Sequence, residues 1–94
     1  TAAALRRMPD EEIIARLTAV RGVGTWTVQM LLIFRLGRPD VLPIHDLGIQ
    51  KGFQRTYGTR QWPKPNRIER HGERWRPFRS VAAWYLWRAT DQAP

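Results

Sequence analysis

The chain reads as all-α, one helical domain over residues 1–94. Apolar residues recur at helical spacing on both sides of the glycine-bearing turn RGVG, and acids cluster where a helix would begin. No strand pattern, internal repeat or low-complexity tract competes with that reading.

Asp10, Glu11 and Glu12 follow Pro9 and precede Ile13, Ile14, Leu17 and Val20. Carboxylates at a helix start offset the positive end of its dipole, so a helix is expected over about 10–20. After the turn, Val28, Leu31, Leu32 and Phe34 predict a mostly apolar helix over about 25–36, buried on most sides. Gly37, Pro39 and Pro43 break the pattern into the loop LGRPDVLPIHD. A third helix is expected from near Asp46 to about Tyr57, and GTRQWPKPN is a loop by its Gly and Pro content. Asn66 is placed to cap a short helix to about Glu73, and Pro77 to open a last one through about Asp91.

Cysteine is absent, which excludes disulfides, thiolate zinc sites, iron–sulfur clusters and cysteine nucleophiles. No apolar run could span a bilayer and no signal-like start is present, so no membrane partner and a cytoplasmic, nucleoid-associated protein are expected. A chain beginning with Thr1 is expected to be a piece of a longer one. Sixteen Lys+Arg against eight Asp+Glu give a net charge of +8. Residues 51–94 hold ten of those bases and three of the acids. Such a balance fits a polyanion partner, nucleic acid before membrane. Scattered arginines that merely solvate a surface are the alternative.

Three stretches carry candidate chemistry. In LTAVRGVGTWTV, Gly22 and Gly24 leave main-chain N–H groups uncovered beside the start of a helix, where the dipole already favours an anion. A tight packing turn accounts for the same glycines about as well. In VLPIHDLGIQKG, Asp46 stands behind a proline-bearing loop at a helix head, as a functional carboxylate or simply an N-cap, with His45 beside it as a loop residue. No second carboxylate lies close enough in sequence for a paired acid/base site. Finally, Trp26, Trp84, Tyr85 and Trp87 are core packing by default. Five tryptophans are more than packing requires, and a tryptophan-lined cavity with one carboxylate suits a flat, electron-poor or cationic ring.

Taken in order, LTAVRGVGTWTV, VLPIHDLGIQKG and ERWRPFRSVAAWYLWR resemble the motifs of the helix-hairpin-helix DNA glycosylases. The closest likeness is to the DNA-3-methyladenine glycosylase II type, from about Asp10 to Arg88. The resemblance implies a helix-hairpin-helix motif over about 10–36, with the catalytic loop and C-terminal helices over about 37–91. It implies that Arg21, Gly22, Val23, Gly24, Thr25 and Lys51 meet duplex DNA, that Asp46 is the catalytic carboxylate, and that Trp26 and Trp87 line the pocket for a flipped base. Main-chain carbonyls of Thr18, Val20 and Val23 would hold a structural Na+ or K+, and no other cofactor is implied. Trp26 stands where lyase relatives carry a nucleophilic lysine, so Schiff-base strand cleavage is not expected.

The implied activity is monofunctional base excision repair: hydrolysis of the N-glycosidic bond of an alkylated, 3-methyladenine-type purine flipped from the duplex. Such a purine is already cationic and leaves readily, so the enzyme mainly needs a negative charge near the developing oxocarbenium sugar. The resemblance also implies helices N-terminal to the hairpin, and residues 1–94 are expected to be the C-terminal half of the family core, without them. The apolar face they would cover calls for a second copy of the chain or for the missing N-terminal domain. A helix-hairpin-helix module that binds duplex backbone without chemistry is the alternative function. A helical protein–protein adaptor explains the helices but neither the charge nor the glycines.

Overall fold

A computed structural model describes residues 2–90. Every regular element among them is helical, as the sequence predicts. The chain divides into two compact units, Thr1–Arg38 and Pro39–Pro94.

The first unit holds α1 (Ala2–Arg7), α2 (Asp10–Thr18) and α3 (Thr25–Phe34). The first of these was not expected, because Ala2–Arg7 carries no acid in its first turn to mark a start. Its C-terminal carbonyls are held from a distance in sequence. The Arg38 guanidinium donates to the carbonyls of Leu5 and Arg6 at 2.9 and 3.1 Å and pairs with Asp10 at 2.9 Å. A cation thus meets the negative end of α1 and the acid at the positive end of α2.

Helices α2 and α3 stop two residues short of the expected ends at 20 and 36. Beyond Thr18 the chain turns, with the Val20 amide bonded to Leu17 and the Val23 amide to Val20. Ile13, Val28 and Leu32 are buried, but Trp26 and Phe34 stand half-exposed or more. The expectation that α3 is buried on most sides is therefore corrected. Its apolar residues run almost all the way round, and only the stripe of Val28 and Leu32 is buried.

The second unit contains α4 (Leu47–Tyr57), α5 (Pro65–Gly72), a 3-10 turn at Glu73–Trp75 and α6 (Arg79–Thr90). The expected end of the last helix at Asp91 lies outside the described residues. Leu42, Ile49, Phe53, Ile68, Ala83 and Leu86 form the core. Packing of α4 on α6 dominates this unit, and Gly52 is what lets them approach: a Cβ there would run into the carbonyl of Leu86.

Two expected helix starts are corrected. Lys64, not Asn66, occupies the N-cap of α5, because Pro65 takes the first helical position, where its missing N–H costs nothing. The last helix opens at Arg79 rather than Pro77. Phe78 supplies the carbonyl that accepts from Val81 and Ala82. Asp40 then caps the helix: its Oδ1 accepts from the Arg79 amide at 3.3 Å and from Arg79 Nε at 2.7 Å. The short helix also ends at Gly72, tightening into the 3-10 turn instead of reaching Glu73.

Candidate functional site

Asp46 is the N-cap of α4, with extended backbone (φ −74°, ψ 129°). Pro43 is buried, and the Asp46 amide donates to its carbonyl at 3.1 Å, so a tight turn delivers the aspartate to the helix head. Both readings of this residue are compatible with what the side chain does. One oxygen, Oδ2, accepts the Ile49 amide at 2.9 Å, which is a capping bond. The same oxygen accepts the Trp87 indole N–H at 2.8 Å, a bond that capping does not need.

Trp87 reaches Asp46 because α6 runs back along α4, placing its last turns beside the first turn of α4. Gly48 leaves the space for this meeting: a Cβ there would lie 2.9 Å from Trp87 Cδ1 and 3.0 Å from Asp46 Oδ2. The indole is part-buried against the core, whereas Trp84 is half-exposed, so core packing holds for the first and not for the second. The carboxylate meets two N–H donors and the positive end of a helix, an environment that complements a fixed negative charge. His45 is exposed beside it.

The glycine turn lies in the first unit. Gly22 has φ +87°, a left-handed conformation that L side chains rarely adopt, so glycine is required there by the backbone itself. Gly24 is the N-cap of α3 at φ −94° and ψ 168°, with no side-chain cap, and any residue could adopt that conformation. Open space surrounds both glycines. The Val23 amide is taken by the Val20 carbonyl, which leaves the first turn of α3 as the donor-rich part of the segment. Arg21 and Thr25 are exposed, Trp26 is half-exposed on α3, and Lys51 is exposed on α4.

Sequence reasoning missed Gln50 and Trp62. Gln50 is 7% exposed, and its side chain links the Ile44 carbonyl to the Trp62 indole. A glutamine four residues after the N-cap aspartate gives no sign of such a role, although the helical period does place it on the same face as Asp46. No helix of the described residues is long and apolar enough to cross a membrane, and no cluster of three or more His, Cys, Asp or Glu is present among them.

No family model matches the chain. It is 45% identical over 87 residues to DNA-3-methyladenine glycosylase 1 of Schizosaccharomyces pombe, covering 93% of this chain and 38% of that protein. The fold superposes at a TM-score of 0.93 on the S. pombe 3-methyladenine DNA glycosylase Mag1 in complex with abasic DNA, with 43% identity. That match covers 97% of this chain and 44% of the other. A DNA-3-methyladenine glycosidase of Bacillus halodurans superposes at 0.86 with 37% identity, over 95% of this chain and 41% of its own. The chain thus spans less than half the length of these relatives.

Proposed function

We propose, on the premise that this chain is homologous to a part of the DNA-3-methyladenine glycosylases, that it carries the catalytic centre of a monofunctional DNA glycosylase acting on alkylated purines in duplex DNA. The observation that carries this reading is the Asp46 carboxylate, held by the Ile49 amide and the Trp87 indole on a single oxygen. A bare N-cap would need only the first of these bonds. The complex of the S. pombe relative with abasic DNA, the species left after base loss, supports the same chemistry.

The residues divide the work as follows. Asp46 supplies negative charge near the anomeric carbon as the glycosidic bond of a cationic purine lengthens and the sugar becomes oxocarbenium-like. It also orients the attacking water. Trp87 fixes the direction of the carboxylate and presents its ring as an aromatic wall for an electron-poor base, and half-exposed Trp26 offers a second ring for stacking on a base. The glycine turn binds a backbone phosphate through amides at the head of α3, with Arg21, Val23 and Thr25 alongside, and Lys51 on α4 makes a backbone contact of its own. Such a protein works at the nucleoid, with a second copy or further helices covering apolar surface such as Phe34, Val81 and Tyr85.

The same turn suits a Na+ or K+. Thr18 closes α2, so its carbonyl has no amide four residues on within the helix, and the Val20 carbonyl accepts from Val23 while keeping its second lone pair. Hard carbonyl oxygens of this kind are alkali-ion donors. Thr18, Val20 and Val23 would hold the ion, which would stiffen the turn and add positive charge facing phosphate.

The test is base release by Asp46→Asn from alkylated duplex DNA. Because both donors meet one oxygen, the single amide oxygen of asparagine can accept both, and asparagine is an equally good N-cap. The capping bond and the indole bond are kept and the negative charge is lost. A fall of about a hundredfold or more is expected, with duplex affinity unchanged and only a modest loss of melting temperature as the two bonds pass to a neutral acceptor. Equal release by the two proteins refutes the catalytic role.

A further inference from the structure

Among the described residues Gln50 is the polar side chain that is buried, at 7% exposure, and both of its polar atoms are engaged. Nε2 donates to the Ile44 carbonyl at 2.9 Å, and Oε1 accepts from Trp62 Nε1 at 2.7 Å. The orientation of the amide is fixed by its partners. An indole N–H can only donate and a carbonyl can only accept, so a flipped amide would lose both bonds.

What the glutamine grips is the turn that carries Asp46. Two hydrogen bonds close this turn: the Asp46 amide to the Pro43 carbonyl, and the Gln50 side chain to Ile44, two residues before the aspartate. Gln50 is also bonded to Asp46 through the main chain, its amide donating to the Asp46 carbonyl at 3.0 Å. The aspartate is therefore held from two directions. Ile49 and Trp87 hold its carboxylate, while Gln50, braced by Trp62 from the 58–64 loop, holds the backbone leading into it. An apolar side chain would fill position 50 with less desolvation, so the amide contributes something other than burial.

We infer that Gln50 is a positioning residue for the reaction, acting through the Ile44 carbonyl to set the backbone of Asp46, with Trp62 locking its amide. This inference rests on Asp46 being the catalytic carboxylate. The consequence is a specific pattern: loosening Gln50 shifts the Asp46 carboxylate against the Trp87 indole and slows base release, without touching the residues that meet DNA.

The experiment compares wild type, Gln50→Met, Trp62→Phe and Asp46→Asn in the full-length protein. Gln50→Met keeps length and flexibility but removes both bonds. Trp62→Phe keeps an aromatic ring at a half-exposed position and removes only the lock, so it remains informative if Gln50→Met folds poorly. Three quantities are read: the 1H–15N resonance of the Trp87 indole, affinity for undamaged duplex, and the single-turnover rate of base release from a duplex containing a methylated purine. Gln50→Met is expected to move the Trp87 resonance and to slow release about five- to tenfold, with duplex affinity within about twofold of wild type. Trp62→Phe should change both in the same direction by less. An unmoved Trp87 resonance, a wild-type rate, or a rate loss matched by lost duplex affinity overturns the inference. Full activity in Asp46→Asn would instead refute the catalytic reading of Asp46, and the Trp87 resonance alone would then decide whether Gln50 positions the turn.

Discussion

The indole N–H of Trp87 donates to Asp46 Oδ2 at 2.8 Å across 41 residues of sequence. It joins the last turns of α6 to the first of α4 and makes the carboxylate part of two elements at once. Because the bond runs to a charged acceptor, its worth is about 1.5–3 kcal/mol. Trp87→Phe keeps most of the ring and removes the donor. Base release from alkylated duplex is expected to fall about tenfold or more. Binding to undamaged duplex should be unchanged. A wild-type rate in Trp87→Phe would reduce the indole to packing.

Gly52 provides a test of how the site depends on the helix pair. A methyl group there would collide with the Leu86 carbonyl, which is backbone and cannot swing aside, so α4 and α6 would have to separate. The cost of Gly52→Ala should lie at the upper end of the about 1–3 kcal/mol typical of overpacking, a fall in melting temperature on the order of 10 °C. Since Asp46 and Trp87 stand on the two separated helices, release should fall even at temperatures where the variant is fully folded. Thermal denaturation and single-turnover kinetics on the same preparation check both statements.

Asp40 should set the acid limb of stability. Burial alone would raise its carboxyl, but the hydrogen bonds and charge of Arg79, with the charge of Arg76, outweigh burial and hold it below its ordinary value of 3.8. The lowered value belongs to the folded state, so the unfolded chain takes up this proton first as pH falls. The stabilisation is therefore complete above about pH 4 and is lost as pH drops through the depressed folded value. Melting temperatures between pH 6 and pH 2.5 should show a fall below about pH 4 that is shallower in Asp40→Asn. Parallel curves for the two proteins would place the acid limb elsewhere.

The local parts of this fold were legible in the sequence. Acids after Pro9, glycines before Thr25 and an aspartate behind Pro43 each mark a helix start through neighbours within a few residues, and the structure places all three starts there. Asp46 and Trp87 were singled out separately, but nothing in local spacing says that they touch. Most of the unforeseen contacts are long-range: Arg38 on the carbonyls of Leu5 and Arg6, Asp40 with Arg79, and Trp62 on Gln50. Each joins elements that only tertiary packing brings together. Pro77 misled for a related reason, since the side chain that caps α6 comes from Asp40, far upstream.

Gly22 and Gly24 look equivalent in sequence but should behave oppositely when replaced. At Gly22 the left-handed φ of +87° disfavours any side chain, so Gly22→Ala should cost about 1–2 kcal/mol and lower the melting temperature whether or not DNA is present. Gly24 is different: its φ of −94° suits any residue, open space surrounds it, and it occupies an N-cap that lacks a side-chain bond. Serine is a better N-cap than glycine, so Gly24→Ser should leave stability unchanged or slightly raised. If a DNA phosphate is gripped by the amides at the head of α3, the same serine puts bulk where the phosphate approaches and turns its hydroxyl toward the amides the phosphate would use. Duplex affinity should therefore weaken in Gly24→Ser for all sequences alike, while the steep loss of binding with rising salt persists because the flanking basic residues remain. Melting curves and salt-dependent binding isotherms for both variants separate the two roles, and a stable Gly24→Ser protein with wild-type duplex affinity would leave the segment as a packing turn.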